Sequence, residues 1–258
     1  MYRFGEMYEK RGEISKNAML GYMEPFMIAQ GVYFVGTYQA STHLIDTGDG
    51  LILIDPGYSS TAHIVVDSIH RLGFDPRDIK YILNTHWHGD HVEATAALRD
   101  LCGAKTVIGK DDAERAERYF KPDILVSDGD VLELGNIRME LLITPGHTKG
   151  TVSPFFEITD GGNVYRVGMF GGAGVNTLAR GSFDFEGCRR AYLESVLRLK
   201  KERVDVFIGN HTWNNGTYEK FIENKKDGKN RFIDSEEWGK FLSACEGRVR
   251  DIIERDGE

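Results

Sequence analysis

Thr85-His86-Trp87-His88-Gly89-Asp90-His91 packs three imidazoles and a carboxylate into six consecutive positions from His86 to His91. The preceding Tyr81-Ile82-Leu83-Asn84 is short and apolar like a buried strand, and residues 92–101 repeat apolar side chains at helical spacing. The motif therefore falls on a strand-to-helix loop, where the strand end fixes the first polar groups and the helix start fixes the last. His86 and His88 can converge on one metal ion. Asp90 and His91, further round the turn, then face a second, the arrangement that two-metal hydrolysis requires. Imidazoles with one carboxylate suit zinc better than magnesium or calcium, which prefer oxygen shells. The plain alternative is a polar surface loop, a reading suited to one or two histidines rather than to this density.

Working outward, residues 32–35, 42–46 and 51–55 read as short strands, the last two turned at Gly48-Asp49-Gly50. Ser59 and Ser60 are placed to cap a helix running to about Leu72. Downstream, the pattern predicts a helix over 92–101, a strand over 105–108, and a helix from Lys110 to about Tyr119, stopped by Pro122. Residues 131–134 and 137–144 form an expected hairpin that delivers Pro145-Gly146-His147-Thr148. A second hairpin spans 152–158 and 164–169, a helix spans 186–201, and a strand over 204–208 ends at Gly209-Asn210-His211. Two helices, about 217–224 and 235–255, finish the chain. Candidate ligands thus emerge three times at strand ends, and two helix-covered sheets would gather those ends along one edge.

The chain has 258 residues, 41% hydrophobic and 28% charged, enough for one sizeable core, and a single domain over 1–258 is expected. Residues 1–28 read as an N-terminal arm, with Tyr2, Phe4, Met7, Tyr8, Met19, Tyr22, Met23 and Phe26 as its apolar contacts, and 216–258 as C-terminal helices. The net charge is −8 and no dense basic block accompanies aromatics, which disfavours a nucleic-acid surface; Lys200-Lys201 and Lys225-Lys226 read as solvated helix ends. Cys102, Cys188 and Cys245 lack metal or disulfide spacing. No secretory signal or membrane-crossing stretch is visible, so a cytoplasmic location is expected.

Of the eight histidines, His63 and His70 fall in a predicted helix and His43 in a strand, where structural or supporting roles are expected. The others carry a family resemblance. The H-x-H-x-D-H signature at His86, His88, Asp90 and His91, the Pro-Gly-His-Thr segment ending at Thr148, and His211 after a late strand resemble the metallo-β-lactamase superfamily. Residues 33–38 and 50–55 are similar to it as well. The resemblance implies an α/β fold, a four-layer αβ/βα sandwich of two mixed sheets flanked by helices, with two zinc ions at the shared sheet edge. It assigns His86, His88 and His147 to the first zinc, and Asp90, His91 and His211 to the second. Glyoxalase-type hydrolases, lactonases and transfer-RNA-processing nucleases of this superfamily carry a metal-bridging aspartate after a middle strand, whereas Val167-Gly168-Met169-Phe170-Gly171-Gly172 has no acid there. It also lacks the cysteine of the first two β-lactamase subclasses, so the donor set resembles the third. That subclass usually follows its last histidine with proline, where this chain has Thr212-Trp213.

The implied function is di-zinc hydrolysis of a cyclic amide in a small-molecule substrate by a metal-bridging hydroxide, with Asp90 as the catalytic carboxylate that orients it. Another cytoplasmic ester, lactone or thioester hydrolase is the alternative. A phosphodiesterase or nuclease would want a basic cleft and a bridging acid, and a non-catalytic metal-binding protein would want a closed site. Trp87, Tyr119, Phe120, Asn176 and Trp213 can either line the cleft or serve packing. Neither membrane nor nucleic-acid partner is expected.

Overall fold

The computed structural model describes residues 6–14 and 16–257. Tyr2 and Phe4 of the expected arm lie outside the described residues. Two single-turn helices, α1 (Glu6–Glu9) and α2 (Arg11–Ile14), lead into a sheet whose seven strands lie in chain order. These are β1 (Phe26–Ala29), β2 (Val32–Phe34), β3 (His43–Asp46), β4 (Leu51–Ile54), β5 (Ile79–Leu83), β6 (Lys105–Gly109) and β7 (Ile124–Val126). The first four pair antiparallel, while β4 to β7 pair parallel. Parallel neighbours need crossovers. α3 (Ala62–Arg71) joins β4 to β5, α4 (Gly89–Val92) and α5 (Thr95–Cys102) join β5 to β6, and α6 (Ala113–Ala116) joins β6 to β7.

The second sheet has the order β12-β11-β10-β9-β8. Its strands β8 (Asp130–Leu134), β9 (Ile137–Ile143), β10 (Val152–Asp160) and β11 (Asn163–Gly168) form an antiparallel meander. β12 (Val206–Phe207) returns parallel to β11 after α7 (Cys188–Leu199). α8 (Thr217–Asp227) and α9 (Glu237–Asp256) follow.

Strand β4 shows how the layers form. All four of its residues are buried, and successive side chains point to opposite faces. Ile52 and Ile54 join the core between the sheets, with Phe34, Leu83, Met139, Leu141, Phe156 and Val206. Leu51 and Leu53 instead pack with Val65 and Ile69 of α3 and Leu98 of α5. On the far side, Tyr192 and Val196 of α7 and Phe241, Leu242 and Val249 of α9 cover Phe155 and Phe207. Burying each such aliphatic side chain contributes roughly 1.5–3 kcal/mol, so a strand covered on both faces reads as an unbroken apolar run. The expected four-layer αβ/βα sandwich of two mixed sheets is the architecture found.

Several local expectations need correction. The arm contains strand β1, and a further short strand, β7, was not anticipated. The serines do not cap α3: Ser59–Thr61 form a 3-10 turn, and Ser59 turns to Glu93 through its amide and hydroxyl. The helix expected over 92–101 begins earlier, at Gly89, and breaks near Ala94, whose amide donates to the Gly57 carbonyl at 3.0 Å. The segment from Lys110 is a 3-10 turn followed by one α-turn. The strand expected over 204–208 pairs only through Val206 and Phe207.

Candidate metal centre

Three strand ends, two from parallel strands and one from the antiparallel β9, deliver the polar groups. β5 leads into His86, His88, Asp90 and His91, β9 into His147, and β12 into His211, all at the carboxyl ends of strands, where open α/β sheets place their ligands. Asp90 and His91 sit in the first turn of α4, held by the His91 amide donating to the His88 carbonyl at 3.0 Å. Gly146 lets the next loop pass α7 closely: its φ is +147° and a Cβ there would lie 2.4 Å from Tyr192 Cβ. His211 is registered against Ala40, with the Ser41 amide donating to the Asn210 carbonyl at 2.8 Å.

All six expected side chains come together, in two groups. His86, His88 and His147 form one, Asp90, His91 and His211 the other, and within each the donor atoms lie within 4.8 Å of one another. The His86 and His91 rings, 4.1 Å apart, make the groups adjacent. His43, His63 and His70 stay outside. His63 and His70 are exposed on α3, and His43 donates from Nε2 to the Gly209 carbonyl at 3.0 Å, bracing the loop that carries His211.

Tautomers follow from the bonding. Asp55 accepts the Thr85 amide, the Thr85 hydroxyl and His91 Nδ1, each at 2.7 Å. Thr85 Oγ1, having given its proton to Asp55, accepts from His86 Nδ1 at 3.0 Å. His147 Nδ1 donates to the Gly174 carbonyl at 2.9 Å. Each of these rings therefore turns an Nε2 lone pair toward the centre. The Nε2 atoms of His86 and His91 are buried without a hydrogen-bond partner among the described residues, and His147 Nε2 faces His88 Nδ1 at 2.9 Å. Lone pairs gathered this way call for a cation or a proton, and the nitrogen-rich donor set fits zinc.

Burial, the largest influence, holds the site imidazoles in their neutral, ligating form. It pushes His86 well below the ordinary range, His88 and His211 down to about 4 and His147 to about 3. His91 goes the other way, because Asp90 and Asp55 together outweigh its desolvation. Asp90 is lowered despite burial by the surrounding imidazoles.

The depressed histidines predict a pH response. Below the unfolded value of 6.5 the unfolded chain takes up protons that folded His88, His147 and His211 refuse, so stability falls as pH drops toward 4. His91 opposes this, since its raised value adds stability at low pH. In chelator, the Tm should drop by roughly 10 °C from pH 7 to pH 4.5. A flat Tm profile would contradict neutral buried imidazoles.

The sequence reading missed two supporting acids. Asp55 is one, at φ +51°, the single non-glycine residue with positive φ among those described. Asp112 is the other: buried, and raised to about 6 mainly by that burial, it accepts the Trp87 amide at 3.2 Å, the Thr148 hydroxyl at 2.6 Å and the Gly150 amide at 2.7 Å. It thereby ties the loop of His86 and His88 to that of His147. Of the cleft candidates, Phe120 is buried beside Trp87 and serves packing, with Tyr119 against the same cluster. Asn176 is exposed, and Trp213 stacks on His211 at 4.4 Å between centroids and 12° between planes.

Residues 35–164, just over half of the chain, match the family model of the metallo-beta-lactamase superfamily. The chain belongs to that superfamily. Among solved members it is similar to the subclass B3 metallo-beta-lactamase of Bradyrhizobium japonicum, at 29% identity and a TM-score of 0.85 over 93% of this chain and 97% of that one. The native metallo-beta-lactamase of Legionella gormanii superposes with a TM-score of 0.86 at 25% identity, covering 91% and 97%. Curated superfamily relatives match shorter stretches. The hydroxyacylglutathione hydrolase of Chelativorans sp. is 38% identical over 36% of this chain and 34% of its own length, and the mitochondrial persulfide dioxygenase of Mus musculus is 32% identical over 62% and 55%. The chain thus spans about a third to somewhat over half the length of these two relatives. Within this metallo-beta-lactamase fold, the segment without a bridging acid is tightly packed: a Cβ at Gly171 would lie 1.9 Å from the Val152 carbonyl oxygen, and one at Gly172 2.8 Å from His147 Cβ. Neither position accepts a carboxylate unless its neighbours move.

Proposed function

We propose that this protein is a dinuclear zinc hydrolase that opens a cyclic amide in a small-molecule substrate, in the manner of a subclass B3 β-lactamase. The supporting observation is two adjacent donor groups of five imidazoles and one carboxylate, beside an acid-free segment, 167–172, whose Gly171 and Gly172 are closely packed. His86, His88 and His147 would hold one ion, and Asp90, His91 and His211 the other. Zinc bound there supplies Lewis acidity, polarising the scissile carbonyl and lowering the pKa of water at the site. Asp90, the one acceptor-only group of the six, can hold the proton of the attacking water at Oδ2, which lies 3.6 Å from His91 Nε2 and 3.8 Å from His211 Nε2. Burial of His86 and His147 excludes solvent from one wall, and Trp213 covers His211 on the other.

Thioester hydrolysis is the second reading, favoured by the local match to hydroxyacylglutathione hydrolase. Metal analysis with a panel of a chromogenic β-lactam, a thioester, a lactone and a phosphodiester separates the two. Two zinc ions per chain with chelator-sensitive turnover fastest on the β-lactam is the expected result. Fastest turnover on the thioester selects the second reading, and a zinc-loaded protein inert to the whole panel rejects both.

A further inference from the structure

We propose that Arg115 and Arg118, gathered on the Trp87 ring, form an anion subsite beside the first donor group that selects substrates bearing a carboxylate. This rests on the hydrolase reading above and narrows its substrate class. In a chain of net charge −8, two guanidinium groups converge on one ring: the Cζ of Arg115 lies 5.1 Å and that of Arg118 5.0 Å from the Trp87 centroid. Three positions apart, on α6 and the turn after it, they share a face. Trp87 itself stands between His86 and His88 in the chain, with its ring 4.5 Å from that of His88. The ring that carries the two arginines thus adjoins a member of the first donor group.

The arginines differ in how they are held. Arg115 is anchored from behind, donating to the Asp184 carboxylate and, at 3.0 Å, to the Asp184 carbonyl. The Asp184 side chain is 4% exposed and that of Arg115 42%, so the anchor is buried while the arginine keeps an open face. Arg118 is exposed and makes no ion pair among the described residues. Asp184 compensates the charge of Arg115, which leaves that of Arg118 for an incoming anion. A planar guanidinium matches a carboxylate in two-point contact, and one already fixed by a buried acid loses little freedom when it binds. Mere packing on Trp87 would need only the arginine stems, which predicts no dependence on charge.

A chromogenic β-lactam and a chromogenic thioester, each as free carboxylate and as methyl ester, test the subsite in zinc-loaded protein. Arg118→Gln should raise KM for the carboxylate forms by about tenfold and leave the methyl esters within about twofold, with kcat unchanged. Arg118→Lys should recover part of the loss. Equal change in acid and ester, or none in either, overturns the proposal. In parallel, tryptophan fluorescence of the metal-free protein is titrated with succinate: saturable quenching that Arg118→Gln abolishes supports the subsite, and no saturable change rejects it. Should all four substrates remain uncleaved, the hydrolase reading fails, and the succinate titration still decides the subsite.

Discussion

Asp90→Asn lowers kcat by about three orders of magnitude at saturating zinc while the fold and the first donor group stay intact. The substitution keeps shape and removes charge. Asp90 is the single carboxylate among the six donors, and the rings of His91 and His211 close on it from two sides. An amide there keeps an oxygen for an ion but cannot take the proton of a water molecule, and its NH2 group can present hydrogens where acceptors are needed. The measurement pairs kcat with zinc content. Turnover near that of the parent with two zinc ions bound would remove Asp90 from the chemistry, whereas loss of one ion together with turnover would reassign it to metal retention alone.

The sequence makes the centre unusually legible because its groups cluster in chemistry as well as in space. His86, His88, Asp90 and His91 lie in one turn, and His147 and His211 each follow an apolar strand into a glycine-bounded loop. Buried strands such as β4 are equally plain, since both faces are covered and every residue is apolar. What stayed hidden depends on long-range closure. β12 is two residues long and exists because Val167 and Gly168 lie beside it. The α4/α5 break arises where the Gly57 carbonyl captures the Ala94 amide, a contact between residues 37 positions apart. Asp112 looks like an ordinary acid at the start of a helix, and only the folded chain brings Trp87, Thr148 and Gly150 to it.

Asp55 is the other residue whose role emerges only on folding, and its removal is expected to have the largest effect on stability. Its carboxylate, fully buried, accepts three donors, the Thr85 amide, the Thr85 hydroxyl and His91 Nδ1. Asp55→Ala strands all three, at about 1–3 kcal/mol each, and places alanine at φ +51°, which adds about 1–2 kcal/mol. The sum rivals the whole stability of a typical domain, so the alanine variant should be largely unfolded without metal. Asp55→Asn is the more informative change, because asparagine tolerates positive φ and keeps one acceptor. Its NH2 group, standing where Oδ2 stood, donates toward His91 Nδ1 and drives that ring to the tautomer with its proton on Nε2. Since Nε2 is the nitrogen turned toward Asp90, the second ion should bind about 10–100-fold more weakly. The same NH2 group meets Thr85 Oγ1, which donates to Oδ2 and accepts from His86 Nδ1, so the first ion, held by His86, His88 and His147, should weaken as well. Zinc titration of the folded asparagine variant checks this. Two ions bound with unchanged affinities would mean that Asp55 supports the backbone of the site without setting the proton positions of its histidines.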